Sequence, residues 1–550
     1  MKKIIENHRN RAQESTAAIE RIYITMRHLF IRGFYKPMGV SGKTLRESLL
    51  TLRPEIYGSI AESKVELNGL LYVMERLPLG IEECQYINLT SDEGYTNSHF
   101  KSIIPLKRRR NCYRIDDEQM NIEITRGRSD IYDVLTHLTF LYIESHKILE
   151  SVIIDEGNNL TRDWDKLKQA TNKAKLTAKE KEVAISHTAS ILGRTFLEVN
   201  DIYNKFATAE DEHRFLKIIY NLGKLALDEF TENQKRVITF SPILRERLGH
   251  HIYGEFWANH IKTILDQNHL LNHELHIISA NMHSVMNTLY ARKALKEFCK
   301  NKSDLEIYEA LSQDKNQKLR DTVNDFALKN GMIYIKDESG TNINVQIFDT
   351  NKIKPQKNAP VIIVMDYAFG EQAYETMDEL LKPYITSSDQ KHFLNVGSVS
   401  IMGKAGILKG SKGDIMIPKA HLFEGTADNY PFVNELKEKD MSGNGLQVFD
   451  GTMVSVLGTS LQNRDLLKFF HKSTWDVIGL EMEGAHYQKA IQAASKLRGN
   501  VKKDIKVRYA YYASDNPLET GSTLASGGLG TTGVKPTYLI TEKILEQILN

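Results

Sequence analysis

The sequence predicts an α/β protein: a C-terminal domain built on a central mixed sheet, preceded by a mixed α/β N-terminal region and a helical bundle. Three observations carry this. From about Gly331 onward, short apolar runs such as Val361-Ile362-Ile363-Val364-Met365 alternate with helical stretches, the α/β signature. From about 129 to 329, apolar residues recur every three or four positions and proline is confined to Pro242. The 550 residues suffice for two to four domains at about 150 residues each. These changes of texture set expected boundaries of 1–128, 129–329 and 330–550.

In the first region a helical pattern runs from Ile19 to Phe30, and Leu71-Tyr72-Val73-Met74 and Tyr86-Ile87-Asn88-Leu89 read as strands. The middle region reads as helices over Ile131 to Leu149, Val183 to Ile202 and Phe215 to Phe230. Thr177-Ala178-Lys179-Glu180 has the form of a capping box. In the last region, Met332-Ile333-Tyr334-Ile335 and Ile343-Asn344-Val345-Gln346-Ile347 read as strands around a Ser339-Gly340 turn. Lys352 to Pro360 is a polar linker, and Val361 to Met365 is a fully buried strand.

Composition excludes several function classes. Seventy-two basic and 70 acidic side chains leave a formal charge of +2, without the basic excess of a dedicated nucleic-acid binder. Three scattered cysteines, Cys84, Cys112 and Cys299, form neither a disulfide scaffold nor a cysteine zinc site and suit a reducing compartment. No apolar run reaches membrane-spanning length, and the first residues are polar with no signal-peptide core. The expectation is a soluble cytoplasmic enzyme with no cofactor and no metal.

Four motifs resemble sites without their required context. Gly528-Leu529-Gly530-Thr531-Thr532-Gly533 spells GxGxxG but lacks a βαβ unit after it. Gly42-Lys43-Thr44 looks like the end of a P-loop, yet Pro37 stands where the leading glycine belongs. His273 and His276 would share a helical face, with no carboxylate at zinc-protease spacing. Lys107-Arg108-Arg109-Arg110 reads as a solvated turn.

Three later segments belong together: Asn395-Val396-Gly397-Ser398 leading through Gly413-Asp414-Ile415, then Gly479-Leu480-Glu481-Met482-Glu483-Gly484, and Ala513-Ser514-Asp515-Asn516. Each reads as a buried strand ending in glycine or polar residues, and open α/β sheets bind ligands outside such ends. Gly397, Ser398, Glu481, Glu483, Ser514 and Asp515 are therefore expected to converge on one crevice. Carboxylates ending apolar strands are costly unless paired or solvated, which marks Glu481, Glu483 and Asp515 for binding or acid–base work.

In order and spacing these segments resemble the nucleoside phosphorylase and nucleosidase superfamily, and within it the AMP nucleosidase branch, over about residues 361 to 549. The resemblance implies that Glu483 holds the ribose 2′ and 3′ hydroxyls, that Met482 packs under the sugar, and that Asp515 is the general acid at purine N7. Superfamily phosphorylases carry an arginine where this chain has Asn395, and the loop Asp366 to Ala373, with Gly370 and Glu371, is acidic. Water is therefore the expected nucleophile, with Asp366 or Glu371 orienting it.

The resulting expectation is hydrolysis of AMP to adenine and ribose 5-phosphate by a homo-oligomer. Its partners would be a small-molecule purine nucleotide and a phosphate or nucleotide effector, with no nucleic acid and no membrane. The alternatives are a nucleosidase for unphosphorylated or methylthio nucleosides, a purine nucleoside phosphorylase, and a nucleotide-sensing module. For a 5′-phosphate, Lys404, Lys409, Lys412 and Arg464 lie in or near the segments, basic residues of the N-terminal region or of a neighbouring subunit are alternatives, and no spacing selects among them.

Overall fold

A computed structural model describes residues 2–108, 110–154, 159–356, 358–386, 389–426, 428–519 and 529–550. Arg109 of the basic run and Gly528 of the glycine-rich motif lie outside the described residues. The chain gathers into two compact units. One comprises Met1–Ile124, Asp130–Gly249 and Ser460–Asn463; the other comprises Thr125–Ser129, His250–Thr459 and Arg464–Asn550. This division does not coincide with the expected boundaries after residues 128 and 329.

The first unit holds a six-stranded sheet, β1 Phe34–Tyr35, β2 Tyr86–Thr90, β3 Ser102–Ile103, β4 Cys112–Arg114, β5 Gln119–Glu123 and β6 Val237–Phe240, in the order β1-β6-β2-β5-β4-β3. Helices surround it, the expected runs at 131–149 and 215–230 forming Arg128–Val152 and Arg214–Thr231. The capping box at Thr177 is formed. The run from Val183 to Ile202 is two helices, Ala178–Leu192 and Phe196–Phe206, because Gly193 at φ +63° ends the first.

Leu71 to Met74 is not a strand. It ends the helix Leu67–Met74, whose N-terminus is capped by the Glu66 side chain accepting from the Asn68 and Gly69 amides at 3.1 and 3.2 Å. Gly42 sits in the helix Val40–Leu52, so the P-loop lettering has no phosphate loop behind it. Arg110 lies buried in this unit, its Nη2 2.8 Å from Asp130 and 2.5 Å from Asp133.

The second unit is built on β7 Leu275–Ser279, β8 Met332–Ile335, β9 Val345–Asp349, β10 Val361–Met365, β13 Val396–Ile407, β14 Ile415–Phe423, β15 Asn429–Pro431, β16 Val448–Ser455, β17 Val477–Glu481 and β18 Lys506–Asp515. A two-stranded ribbon, β11 Tyr384–Ile385 with β12 Lys391–His392, stands apart. The middle region of the chain is dominated by helices, and it also supplies β6 and β7. His276, expected on a helix, lies in β7.

One half of this sheet is open and one half closes on itself. β13, β7, β10, β9 and β8 follow one another in the open half. The other half is a circuit: β13 pairs with β18, β18 with β14, β14 with β16, β16 with β17, and β17 returns to β13. β13 belongs to both halves. On one edge it pairs with β18 from Ser398 to Gly406. On the other edge it pairs in parallel with β7 up to Ile401, opposite Ser279, and antiparallel with β17 at Gly406 and Ile407. Between these pairings, no described strand covers that edge from Met402 to Ala405. The carboxyl ends of β7 and β17 approach this split from opposite directions.

Apolar side chains fill both faces. Ile277, Val361, Ile363, Ile401, Tyr509 and Tyr511 join one core, and Ile278, Ile362, Met402, Ala510 and Ile540 join the other. The β17–β13 crossing depends on a glycine. A Cβ at Gly479 would lie 2.6 Å from the Gly406 carbonyl and would also collide with Met416. Gly479→Val should therefore destabilise the protein by about 2 kcal/mol or more, the upper part of the range for overpacked cores. Urea denaturation measures this, and an unchanged midpoint would show that the crossing tolerates a side chain.

Candidate active site

Two strand ends, those of β7 and β17, face the split; β10 lies beside β7, and β18 lies on the opposite edge of β13. β10 runs out at Met365 into the loop Asp366 to Glu371, β7 ends at Ser279, β17 ends at Glu481, and β18 ends at Asp515. Leu480, Gly406 and Asp515 stand in one row across β17, β13 and β18. Two inter-strand spacings therefore separate Leu480 from Asp515, roughly 10 Å.

Glu481 is buried and its oxygens are occupied. One accepts from the Ser455 hydroxyl; the other accepts from the Glu483 amide at 2.5 Å and from the Gly484 amide. Ser455 Oγ also accepts from the Ala485 amide at 2.7 Å. Glu481 thus satisfies the first amides of the helix Gly484–Gln492, which have no partner inside the helix. The sequence marked it for ligand binding; the structure gives it the task of holding Glu483. Burial pushes its carboxyl up to about 7, against the three donors that pull it down. Gly484 is obligatory, because a Cβ there would collide with the His421 ring.

Glu483 follows at the mouth of the split. It is half-buried, and Oε1 accepts from the Gly370 amide at 2.9 Å. This bond joins the end of β17 to the loop after β10. Burial raises its carboxyl to about 8, helped by the negative charge of Glu481. Met482 packs with Phe470 and Leu518 against an apolar cluster around Leu408, Val456 and Leu480.

Asp515 is 5% exposed. Its Oδ1 accepts from the Ser514 hydroxyl at 2.5 Å, which also lies 3.1 Å from the Ala405 carbonyl. Its Oδ2 is buried with no hydrogen-bond partner among the described residues. Burial raises its carboxyl, while Ser514, Lys404 and Lys412 oppose the shift. Lys404 is exposed and lines a cleft of about 470 Å³ with Asn281, His283, Tyr512 and Tyr538.

Gly370 has φ +55°, and a Cβ would collide with Ser129 Oγ. The neighbouring Glu371 amide donates to that same Ser129 Oγ at 2.8 Å, and the Glu371 carboxylate lies 3.3 Å from Arg128 Nη1. Sequence reasoning missed this segment: nothing in Arg126-Gly127-Arg128-Ser129 announces that it meets a loop about 240 positions later.

Gly397 and Ser398 do not join the crevice. They lie at the beginning of β13, where Ser398 is level with Lys506, the first residue of β18, while Asp515 is the last. Ser398 Oγ is 2.7 Å from His276 Nδ1, and a Cβ on Gly397 would collide with Glu274. The run of small residues after Gly397 looked like a turn; it is the interior of a twelve-residue strand. Asn395 lies at that same distant end, its carbonyl accepting from the Leu275 amide at 2.9 Å, so its identity carries no information about phosphate. Gly530–Gly533 forms a short 3-10 turn, and no cluster of potential metal ligands occurs among the described residues.

Fold and site define an α/β protein whose sheet carries a buried carboxylate, Glu481 and Asp515, at two of its strand ends. The chain belongs to the family of unknown function DUF6909, whose profile matches residues 43–550. No curated protein matches it. Half of the chain is similar in structure to several nucleosidases. The native futalosine hydrolase of Helicobacter pylori strain 26695 shares 12% identity over 50% of this chain and 98% of its own, with a TM-score of 0.30. The Campylobacter jejuni 5′-methylthioadenosine/S-adenosylhomocysteine nucleosidase shares 9% over 50% and 98%, with a TM-score of 0.31. The corresponding nucleosidase of Colwellia psychrerythraea 34H shares 11% over 50% and 96%, at 0.28. No helix among the described residues is long and apolar enough to cross a membrane.

The raised carboxyls fix a pH dependence. A carboxyl moved from 4.5 to about 8 in the folded state binds its proton more tightly folded than unfolded. Its contribution to stability is complete below about pH 4.5 and is lost as the pH rises through about 8. Glu483→Gln removes this titration, so the variant should lose less stability than wild type between pH 5 and pH 8. Denaturation midpoints across that range measure it, and parallel curves would show that Glu483 titrates normally.

Proposed function

We propose that the pocket hydrolyses the N-glycosidic bond of a purine ribonucleotide, converting AMP and water to adenine and ribose 5-phosphate. The observation that carries this reading is Asp515: a buried carboxyl of raised proton affinity, held through one oxygen, with the other unpartnered among the described residues. Such a group is suited to donate a proton, and glycosidic cleavage needs a donor where electrons accumulate on the purine, at N7.

Glu483 supports the reading from the other end of the bond. Its carboxylate would accept from the ribose 2′ and 3′ hydroxyls and face the cationic sugar that develops as the bond breaks. Glu481 and Ser514 act through their neighbours, fixing Glu483 and Asp515. On this reading Asp366 is the carboxylate that orients the attacking water, since Glu371 is engaged by Arg128. Water adds its oxygen to C1 of the sugar, one water proton passes to a carboxylate, and adenine leaves carrying the proton from Asp515.

Asp515→Asn should lower kcat on AMP by about a hundredfold or more, the scale for losing a general acid, while AMP still binds. Turnover assays and equilibrium dialysis separate the two effects, and near-normal turnover would remove Asp515 from the chemistry. Cleavage should proceed in phosphate-free buffer, and in labelled water the oxygen label should appear at C1 of ribose 5-phosphate. A strict need for phosphate, with label-free ribose 1,5-bisphosphate as product, would make the protein a phosphorylase instead.

A further inference from the structure

We propose that the cleft of about 470 Å³ beside Lys404 binds a phosphate group, and that this group is the 5′-phosphate of the nucleotide. This rests on the hydrolase reading and adds to it the residues that would distinguish a nucleotide from a nucleoside.

The cleft borders the split in the sheet. Lys404 belongs to the stretch of β13, Met402 to Ala405, that lies between the pairings with β7 and β17. Asn281, just beyond the end of β7, and His283 line the cleft with it, as does Tyr512, which is level with Lys404 on β18. Gly406 is level with Asp515. One inter-strand spacing and the two-residue step from Lys404 to Gly406 therefore put the Cα atoms of Lys404 and Asp515 roughly 8 Å apart. A ligand with its purine N7 at Asp515 and an anionic group at Lys404 is thus of nucleotide length. Lys404 is exposed, and its amine has no hydrogen bond or ion pair among the described residues.

Chemistry favours phosphate at this place. The helix Met282–Ala294 begins at the cleft, directly after β7, and a strand-to-helix turn of this kind presents the positive end of the helix to an anion. Asn281 caps that end, accepting from the His283 amide at 3.0 Å. Asn287, further along the same helix, also lines the cleft and is 5% exposed. Its Nδ2 donates to Tyr538 Oη at 2.7 Å, and its Oδ1 is buried with no partner among the described residues. A tyrosine hydroxyl serves either end of an amide. Turned by 180°, Asn287 accepts from Tyr538 and offers its NH2 instead, the end that an anion selects. Asp314 is the acidic residue of the lining, and Arg320 stands against it, donating to the Asp314 carbonyl at 3.0 Å. The other candidates are placed differently. Lys409 and Lys412 are exposed in the turn between β13 and β14, outside the cleft, and Arg464 donates to the Glu519 carbonyl at 3.3 Å.

The test compares kcat/KM for AMP and for adenosine in wild type, K404Q, K404R and K412Q, all as full chains. Wild type should prefer AMP. K404Q should lower the AMP-to-adenosine ratio by about 30-fold, the scale of a charge-assisted hydrogen bond, whereas a merely structural defect lowers both substrates together. K404R, which keeps the charge, should restore most of the ratio. Lys404 and Lys412 both act on Asp515 by their charge, but that effect is common to the two substrates and cancels in the ratio. K412Q should therefore leave the ratio at its wild-type value. No preference for AMP in wild type, a ratio unchanged in K404Q, or one lowered equally by K412Q overturns the assignment. If adenosine is cleaved only in the presence of inorganic phosphate, and K404Q abolishes that dependence, the cleft takes free phosphate and the assignment to the 5′-phosphate is overturned. If wild type cleaves neither compound, the hydrolase reading fails, and equilibrium dialysis then decides the phosphate site alone. AMP bound more tightly than adenosine, with the difference lost in K404Q, sustains it; equal binding overturns it.

Discussion

One edge of one strand serves two partners that approach from opposite directions, and the second unit depends on this. A strand edge offers a single row of amides and carbonyls, so β7 and β17 cannot both occupy β13 at the same level. β7 takes the first half in parallel and β17 takes the last two positions antiparallel, with four residues left between them. Two strand ends then point at each other across a gap one strand wide. β17 pairs on its other edge with β16, and the circuit continues through β14 and β18 to the other edge of β13. The split is the consequence of this hydrogen-bond geometry.

The carboxylates at the gap are arranged by how many donors reach each. Glu481 meets three donors and serves as scaffold. Glu483 receives an amide from a neighbouring loop and is not saturated as Glu481 is. Asp515 receives one hydroxyl and has a buried oxygen without a partner among the described residues. A buried polar atom without a partner lowers stability by about 1–3 kcal/mol. The gradient from satisfied to unsatisfied runs from the residue that builds the site to the one assigned to proton donation.

Much of this was legible in the sequence where local pattern and tertiary role agree. The apolar run at Val361 to Met365 could only be a buried strand, and Thr177 with Glu180 could only cap a helix. Glu483 and Asp515 stood out because acidic residues end apolar strands there. Other features depended on partners that a sequence does not display. β7 contains His276 and is five residues long, too short for its period to be told from a helix. Leu71 to Met74 has strand composition, but Glu66 caps a helix over it. Gly397 and Ser398 mimic a strand end because small residues mark turns as often as close packing. Which end of β13 faces the pocket follows from its pairing with β7 and β18, a long-range choice.

Glu483 also shows why a site of this kind tolerates so much buried acid. Its proton affinity is raised, so near neutral pH the group is held largely uncharged and the desolvation cost of a carboxylate is avoided. Hydroxyl donors arriving from a ribose would reverse the balance, since hydrogen bonds to a carboxylate favour its ionised form. Binding would then create a negative charge beside the sugar at the stage when the breaking bond makes the sugar positive. The Gly370 amide keeps that carboxylate aimed while its charge changes, which is why the loop after β10 must be braced from behind by Ser129 and Arg128. A segment remote in sequence is thus required by the electrostatics of a residue it does not touch.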